Sequence, residues 1–414
     1  MNTYLKFLSK NKLYAAIEAF GLSVALGFVI LLGSYARTEF SVGTRQPLSR
    51  QLYAIGMGNC VGMTLGTAEE FFPSVPEITS WTRVGAFGDA DITVDDDYYQ
   101  GKSVCVDTNF LRIFDYKVSG CDRSNMLTNR DDVILSEKFA HKVFGNADPV
   151  GKRIKVGGDY FTVAGTIQDF GPYDEFCYFD LILGIRYLND KVQRMDNFGM
   201  VQTFVTLQKG VSPDAVAEKL LDKYLDYWKE WYHRDGSNGA FLWGSTLTRL
   251  DKLYFSSMDI YSPLRKGDKK MVEMLLAVAL VLLISAIFNY INLTVAQTGK
   301  RAKEMATRRL LGESSRSIMG RYMTESFLFT AFCLMLGMLV AIAFKGWLDR
   351  ILSAEIMLVP DVATAAIGIV LLIVVSAISG VLPALMVSRF KPIDVVKGSF
   401  RFRTRAIRHV CLLY

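Results

Sequence analysis

Charge is spread very unevenly along this chain. Four apolar stretches carry none at all: Ala19–Ala36 (18 residues), Met274–Gly299 (26), Ser326–Phe344 (19) and Val362–Ser388 (27). A hydrocarbon core about 30 Å thick is crossed by roughly 20 apolar residues in a helix. The last three stretches are apolar on every face for longer than a buried core helix normally runs. The first is shorter, but Leu13–Ile17 extends it on the other side of Glu18. Its far end, Leu31-Leu32-Gly33-Ser34-Tyr35 before Arg37, offers no small-residue cleavage site, so it reads as a retained anchor. Transmembrane helices are therefore expected over 13–36, 271–298, 323–345 and 362–388.

Between the first two lies a segment of another texture, 37–270. Asp131-Asp132-Val133-Ile134-Leu135 reads as a strand, and Ser136 as the N-cap of a helix over Glu137–Phe144. The turn residues Gly145-Asn146-Ala147-Asp148-Pro149 then stop that helix. Arg153–Val156 and Asp159–Ile167 alternate around Gly157-Gly158, a hairpin signal. Thr203–Gln208 alternates as a strand, and Ser212-Pro213-Asp214 opens a helix over Ala215–Trp231. The predicted fold class is a membrane α-helical protein with four transmembrane helices, one plus three, and a large α/β domain after the first.

Charge orients this arrangement. Lys6, Lys10 and Lys12 precede the first span. Lys300, Arg301, Lys303, Arg308, Arg309, Arg316 and Arg321 lie between the second and third. Arg389, Lys391, Lys397, Arg401, Arg403, Arg405 and Arg408 follow the fourth. The loop between spans three and four holds only Lys345 and Arg350, and the 234 residues Arg37–Lys270 hold 28 Lys/Arg against 32 Asp/Glu. Lys and Arg concentrate on the cytoplasmic side. Residues 1–12, the loop 299–322 and the tail 389–414 are thus expected in the cytoplasm, and 37–270 and 346–361 outside. Composition fits: 51% of the 414 residues are hydrophobic and only 21% charged. Six Cys are too few for a disulfide scaffold.

No catalytic constellation or metal site emerges. His141 and His233 stand far apart and outside any metal-spaced cluster. Asp89, Asp91, Asp95, Asp96 and Asp97 lack the glycine and distal glutamate of an EF-hand, so a solvated acidic loop is expected. Gly101-Lys102-Ser103 has Asp97 where a phosphate-binding loop needs glycine. Cys60, Cys105, Cys121 and Cys177 would face an oxidising compartment, where a disulfide is permitted. In the spans, Glu18 and Glu273 sit at span ends, leaving no buried ionisable group of the kind that marks an ion pathway. Asn289 and Asn292 in span two are read as interhelical hydrogen-bonders.

The loop after span two carries the most telling pattern. Lys303–Leu311 scans as a helix with Glu304 and Arg308 four apart and a stripe of Met305, Leu310 and Leu311; Gly312 stops it. Ser314 or Ser315 can cap a helix into span three. A short amphipathic helix with exposed leucines among charges suits a partner's groove.

Asn289-Tyr290-Ile291-Asn292 followed by Lys300–Gly312, and later Pro383 with Phe390-Lys391-Pro392 to Gly398, resembles the MacB/FtsX-like (type VII) ABC transporter permeases. Ile134–Gly145, Asp148–Lys152 and Tyr160–Gly165 look like that family's periplasmic core domain. The resemblance implies a permease subunit of the mechanotransmission type in the bacterial inner membrane, itself no enzyme. A separate cytoplasmic ABC ATPase, holding ATP and Mg, would drive the periplasmic domain for efflux or for lipid, lipoprotein or peptide export. Lys303, Glu304, Met305, Arg308, Arg309, Leu311 and Gly312 would form the coupling helix seated on it. A second permease copy or half is implied as dimer partner, and a periplasmic adaptor or outer-membrane partner fits the export reading. No nucleic-acid partner and no cofactor in this chain are expected. The alternative is an FtsX-like regulator that activates a cell-wall hydrolase. A receptor is disfavoured, because no kinase, cyclase or methyl-accepting segment follows any span. Val410-Cys411-Leu412-Leu413-Tyr414 after a basic flank resembles the start of a fifth span, so the chain is expected to be cut from an eight-span permease rather than a natural half-length one.

Overall fold

A computed structural model describes residues 12–120, 122–123, 127–191, 200–235, 244–261, 263–358 and 362–388. The chain divides into two units, Met1–Thr38 with Lys270–Tyr414, and Glu39–Lys269. Most of the N-terminal flank (1–11), the basic tail 389–414 with its expected fifth-span start, and Cys121 lie outside the described residues.

Helix α1 (Lys12–Ser41) leads into the second unit, whose strands are β1 (Leu52–Met57), β2 (Cys60–Val61), β3 (Met63–Thr64), β4 (Ile78–Val94), β5 (Asp97–Val106), β6 (Val118–Ser119), β7 (Asp132–Ser136), β8 (Arg153–Val156), β9 (Asp159–Ile167), β10 (Leu181–Gly184), β11 (Met200–Leu207) and β12 (Ser245–Arg249). Its helices are α2 (Thr67–Phe71), α3 (Phe110–Ile113), α4 (Glu137–Phe144), α5 (Ile185–Lys191), α6 (Pro213–Asp235) and α7 (Leu250–Leu253). The strands join in one twelve-stranded sheet, β12-β1-β11-β4-β5-β10-β7-β9-β6, with β2 on β1, β3 on β11 and β8 on β4 and β9. Pairs β5–β10 and β7–β9 are parallel. β7 is buried at every position, as suits a strand covered on both faces.

Local chemistry accounts for the connections. Ser136 Oγ accepts the Phe139 N–H at 3.1 Å and caps α4. Gly157 and Gly158 take φ of +56° and +101°, the conformation a tight hairpin demands of both central residues. The acidic run is solvated as expected, but only Asp95 and Asp96 are loop residues; Asp89, Asp91 and Asp97 lie in strands. It forms the tip of the β4–β5 hairpin, turning at Asp95 with φ +52°. Along β4, Asp89 and Asp91 face solvent while Ala90, Ile92 and Val94 are buried. That period-two alternation outweighs the poor strand propensity of aspartate. One core gathers around Phe114, whose ring lies within 6.4 Å of Phe110, Tyr116, Phe176 and Phe204. Cys60, Cys105 and Cys177 are free thiols.

The other unit comprises α1, α8 (Lys269–Leu310), α9 (Ser315–Leu352) and α10 (Val362–Ser388). Among the described residues four helices are long and apolar enough to cross a membrane: Ala15–Ser41, Lys269–Asn292, Arg316–Leu352 and Thr364–Val381. Leu22 and Leu26 of α1 pack against Tyr290, Ile291, Phe329, Cys333 and Val375. Glu18 overturns the expectation that no ionisable group is buried in the spans. It does sit at the span end, as the fourth residue of the first span, but one turn before Leu22 on the same face it is only 5% exposed. Its Oε1 has no hydrogen-bond partner among the described residues. Glu273, near the start of α8, is exposed.

Candidate functional site

The segment singled out after span two is not a separate helix. α8 continues unbroken from the second span to Leu310, so Lys303, Glu304, Met305, Arg308 and Arg309 occupy its last turns. The side chains of Lys303, Glu304, Met305 and Arg309 lie outside the described residues. The helix ends in a tight elbow. Leu311 N–H donates to the Thr307 carbonyl at 3.0 Å, and Glu313 N–H reaches back to the Arg308 carbonyl at 3.1 Å. That six-to-one bond marks a Schellman stop, which needs a left-handed residue before it. Gly312 supplies it, with φ +93°.

The next helix starts at once. Ser314 Oγ accepts the Ser317 N–H at 3.2 Å, and Ser317 Oγ donates to Glu313 Oε1 at 2.8 Å. The Glu313 carboxylate also stands 3.7 Å from the Arg308 guanidinium. Arg308, Glu313 and Ser317 thus cross-link the end of α8 to the beginning of α9. Sequence reasoning found the Ser314 cap but missed Glu313 and Ser317 as members of the site. The three-residue spacing from Ser314 to Ser317 is a signal for Ser317, and the four-residue spacing from Glu313 to Ser317 one for Glu313.

The elbow presents Leu310 and Leu311, 56% and 82% exposed. An isolated exposed leucine is ordinary. Two adjacent ones at the apex of a capped, cross-linked turn, flanked by Arg308 and the exposed Arg316, make a fixed apolar knob with a cationic rim. Such a knob can seat in a groove; it cannot perform covalent chemistry. Among the described residues no group of three or more His, Cys, Asp or Glu could hold a metal ion.

Inside the helical unit the two asparagines part company. Asn289 is exposed, with its Nδ2 3.6 Å from where a Cβ on Gly21 of α1 would stand; Asn292 is half-buried. α9 and α10 are joined by Ser326 Oγ donating to the Ser376 carbonyl at 3.1 Å, and α1 and α10 by Arg37 Nη1 donating to Thr364 Oγ1 at 2.9 Å.

In the domain, Arg83 of β4 is fully buried. It makes a bidentate pair with Asp107 at 2.8 and 3.0 Å and also reaches Glu69 at 2.7 Å and the Leu65 carbonyl at 2.6 Å. These bonds hold α2 and the end of β5 to β4. They bound one side of a polar cavity of about 230 Å³ that Arg130 and Arg186 also line.

Two family models match this chain. The MacB-like periplasmic core domain matches residues 15–223, about half the chain, and the FtsX-like permease C-terminal domain matches 276–392. The chain is 22% identical over 274 residues to the macrolide export ATP-binding/permease protein MacB of Campylobacter fetus subsp. fetus (strain 82-40). That match takes in 66% of this chain but only 39% of the relative. It is 20% identical over 302 residues to the ABC transporter permease YvrN of Bacillus subtilis (strain 168), covering 70% of this chain and 69% of that one. The periplasmic region of MacB from Actinobacillus actinomycetemcomitans aligns over 51% of this chain and 92% of its own length, with 12% identity and a TM-score of 0.37. Four transmembrane helices and an extracytoplasmic α/β domain are thus joined in one chain, which belongs to the MacB/FtsX-like family of ABC transporter permeases.

Proposed function

We infer that this permease is worked from the cytoplasm by a separate ABC ATPase, which holds ATP and Mg and seats the elbow at Leu310 and Leu311. The observation that carries the reading is the elbow itself. It is an exposed leucine pair locked between two membrane helices by Gly312, Ser314, Glu313 and Arg308. An apolar tip with a basic rim is the form that docks in a groove, and the Lys/Arg excess assigns this end of the helices to the cytoplasm. Lys303, Glu304, Met305, Arg308, Arg309, Leu311 and Gly312 form the contact. α8 relays movement of the elbow towards the domain, and the work is spent outside the membrane on efflux or on export of lipid, lipoprotein or peptide. Two copies or halves act together in the bacterial inner membrane, both termini cytoplasmic. Asn289 and Asn292 join helices of the bundle.

The test is retention of an ATPase from the same genome on the tagged full chain in mild detergent. Wild type retains it, and Leu310→Asp with Leu311→Asp loses it while the chain's helical circular dichroism stays unchanged. Absence of any ATPase on wild type, or equal retention by the double variant, sinks the reading.

A further inference from the structure

The domain is joined to the helices on either side of it in sequence by short connectors, residues 42–51 after α1 and 254–268 before α8. Both are fastened to one loop, 171–177. From the first connector, Gln46 Nε2 donates to Glu175 Oε1 at 3.0 Å, and Gln46 Oε1 accepts the Asp115 N–H at 2.8 Å. The Arg45 guanidinium lies 3.5 Å from the centre of the Tyr173 ring. From the second, Arg265 N–H donates to the Glu175 carbonyl at 2.9 Å, and its guanidinium to the carbonyls of Pro172 and Asp174. Cys177 N–H donates to the Pro263 carbonyl at 2.8 Å. Phe176 forms a bridge with Leu264. Asp174 Oδ2 stiffens the loop by accepting the Gly171 N–H at 2.6 Å.

We propose that loop 171–177 is a clasp by which the domain grips both connectors, with Glu175 as the positioning residue that sets the grip. It deepens the coupling reading above and, in its role, rests on it. Glu175 bonds both connectors, through its side chain to Gln46 and its backbone to Arg265. It is 5% exposed and accepts a further bond from the Tyr116 hydroxyl at 2.8 Å. A buried carboxylate is costly unless paired with a cation, and among the described residues no cation forms an ion pair with Glu175. The charged or titratable groups around it are Tyr116 from the segment before β6, Asp174 in its own loop, Arg45 from the first connector and Arg265 from the second. Both arginines act on Asp174. Burial, with the Asp174 charge beside it, pushes the Glu175 carboxyl up to about 7. Near neutral pH the clasp therefore passes from a neutral to an anionic core. Gln46 and Tyr116 both donate to Oε1, which either protonation state can accept. The hydrogen bonds from Gln46 and Tyr116 favour the anion, but burial beside Asp174 outweighs them, so ionisation favours a loop that opens to water and releases both connectors.

The test is hydrogen exchange by mass spectrometry on the full chain in lipid nanodiscs, corrected for intrinsic rates. In wild type, protection of both connectors is expected to fall about tenfold between about pH 6 and about pH 8. Glu175→Gln keeps a donor and an acceptor without a charge, so it holds the higher protection at both values. Glu175→Ala loses protection equally at both. Wild-type protection that ignores pH, a Glu175→Gln profile that follows wild type, or a change in one connector alone would overturn the proposal. A clasp that behaves as expected in a chain that retains no ATPase defeats the coupling reading only.

Discussion

Gly27 of α1 and Gly337 of α9 stand face to face, so close that a Cβ on Gly27 would lie 2.8 Å from the Gly337 carbonyl oxygen. In return, a Cβ on Gly337 would lie 3.0 Å from the Ser23 carbonyl. Small residues let membrane helices approach backbone to backbone, where dispersion and not the hydrophobic effect holds them. Because the obstruction is a carbonyl rather than a flexible side chain, Gly27→Leu must push the helices apart. The expected cost is about 1–3 kcal/mol, read as a lower unfolding temperature in nanodiscs. Gly33→Ala, where nothing lies within 4 Å, is the matched control and is expected to be neutral.

Gly312 is held at φ +93° by the helix stop. Gly312→Val forces a β-branched residue into left-handed backbone, at a cost of about 1–2 kcal/mol. The expected result is an altered elbow and weakened ATPase retention while the far end of α9 keeps its exchange protection. Ser314→Ala, which removes only the cap, is expected to be milder, about 1 kcal/mol.

Arg83→Met removes the cation from Asp107, whose side chain is 11% exposed. An orphaned buried charge costs about 3–5 kcal/mol. The full chain is expected to show a lower denaturation midpoint for the domain. Changing Asp107→Asn in the same chain should recover part of the loss, because the leftover charge is then gone.

Stability of the domain should also depend on the Glu175 proton. Its carboxyl rises from 4.5 to about 7 on burial, so the folded state holds the proton more tightly than the unfolded one. The contribution is fully present below about pH 4.5, declines as pH climbs, and is lost above about pH 7, a swing of roughly 3 kcal/mol. Glu175→Gln is expected to remove that swing and to leave the domain more stable than wild type above about pH 8. Urea midpoints measured across this range decide it.

Glu18→Leu replaces an acid on the Leu22–Leu26 face, one of whose oxygens is buried without a hydrogen-bond partner among the described residues, with a residue like its neighbours. A buried polar group left without a hydrogen bond costs about 1–3 kcal/mol, which the replacement removes. A higher unfolding temperature in nanodiscs is expected.

What the sequence disclosed and what it hid divide by range. The four apolar stretches, the Ser136 cap, the Gly157-Gly158 turn and the Gly312 stop are local, and each is visible in a window of neighbouring residues. The acidic run misled because its aspartates outweigh the buried Ala90, Ile92 and Val94 that alternate with them. The burial of Glu18 was hidden because only the packing of α1 against α8 and α9 decides what its face meets. Glu175 carried no signal at all: its partners Gln46 and Tyr116 lie 129 and 59 positions away. At the elbow the fold was legible, whereas the clamp by Glu313 depends on two helices meeting.

α8 runs for 42 residues without a proline. At 1.5 Å per residue it is about 63 Å long, twice the thickness of a hydrocarbon core. Sharp kinks come chiefly from proline, bulges or inserted groups, so this helix is a pushrod and not a spring. It has little slack in which to absorb a stroke. On the coupling reading proposed above, a partner seated on Leu310 sets the length of travel, and the far end at Lys269 moves with it.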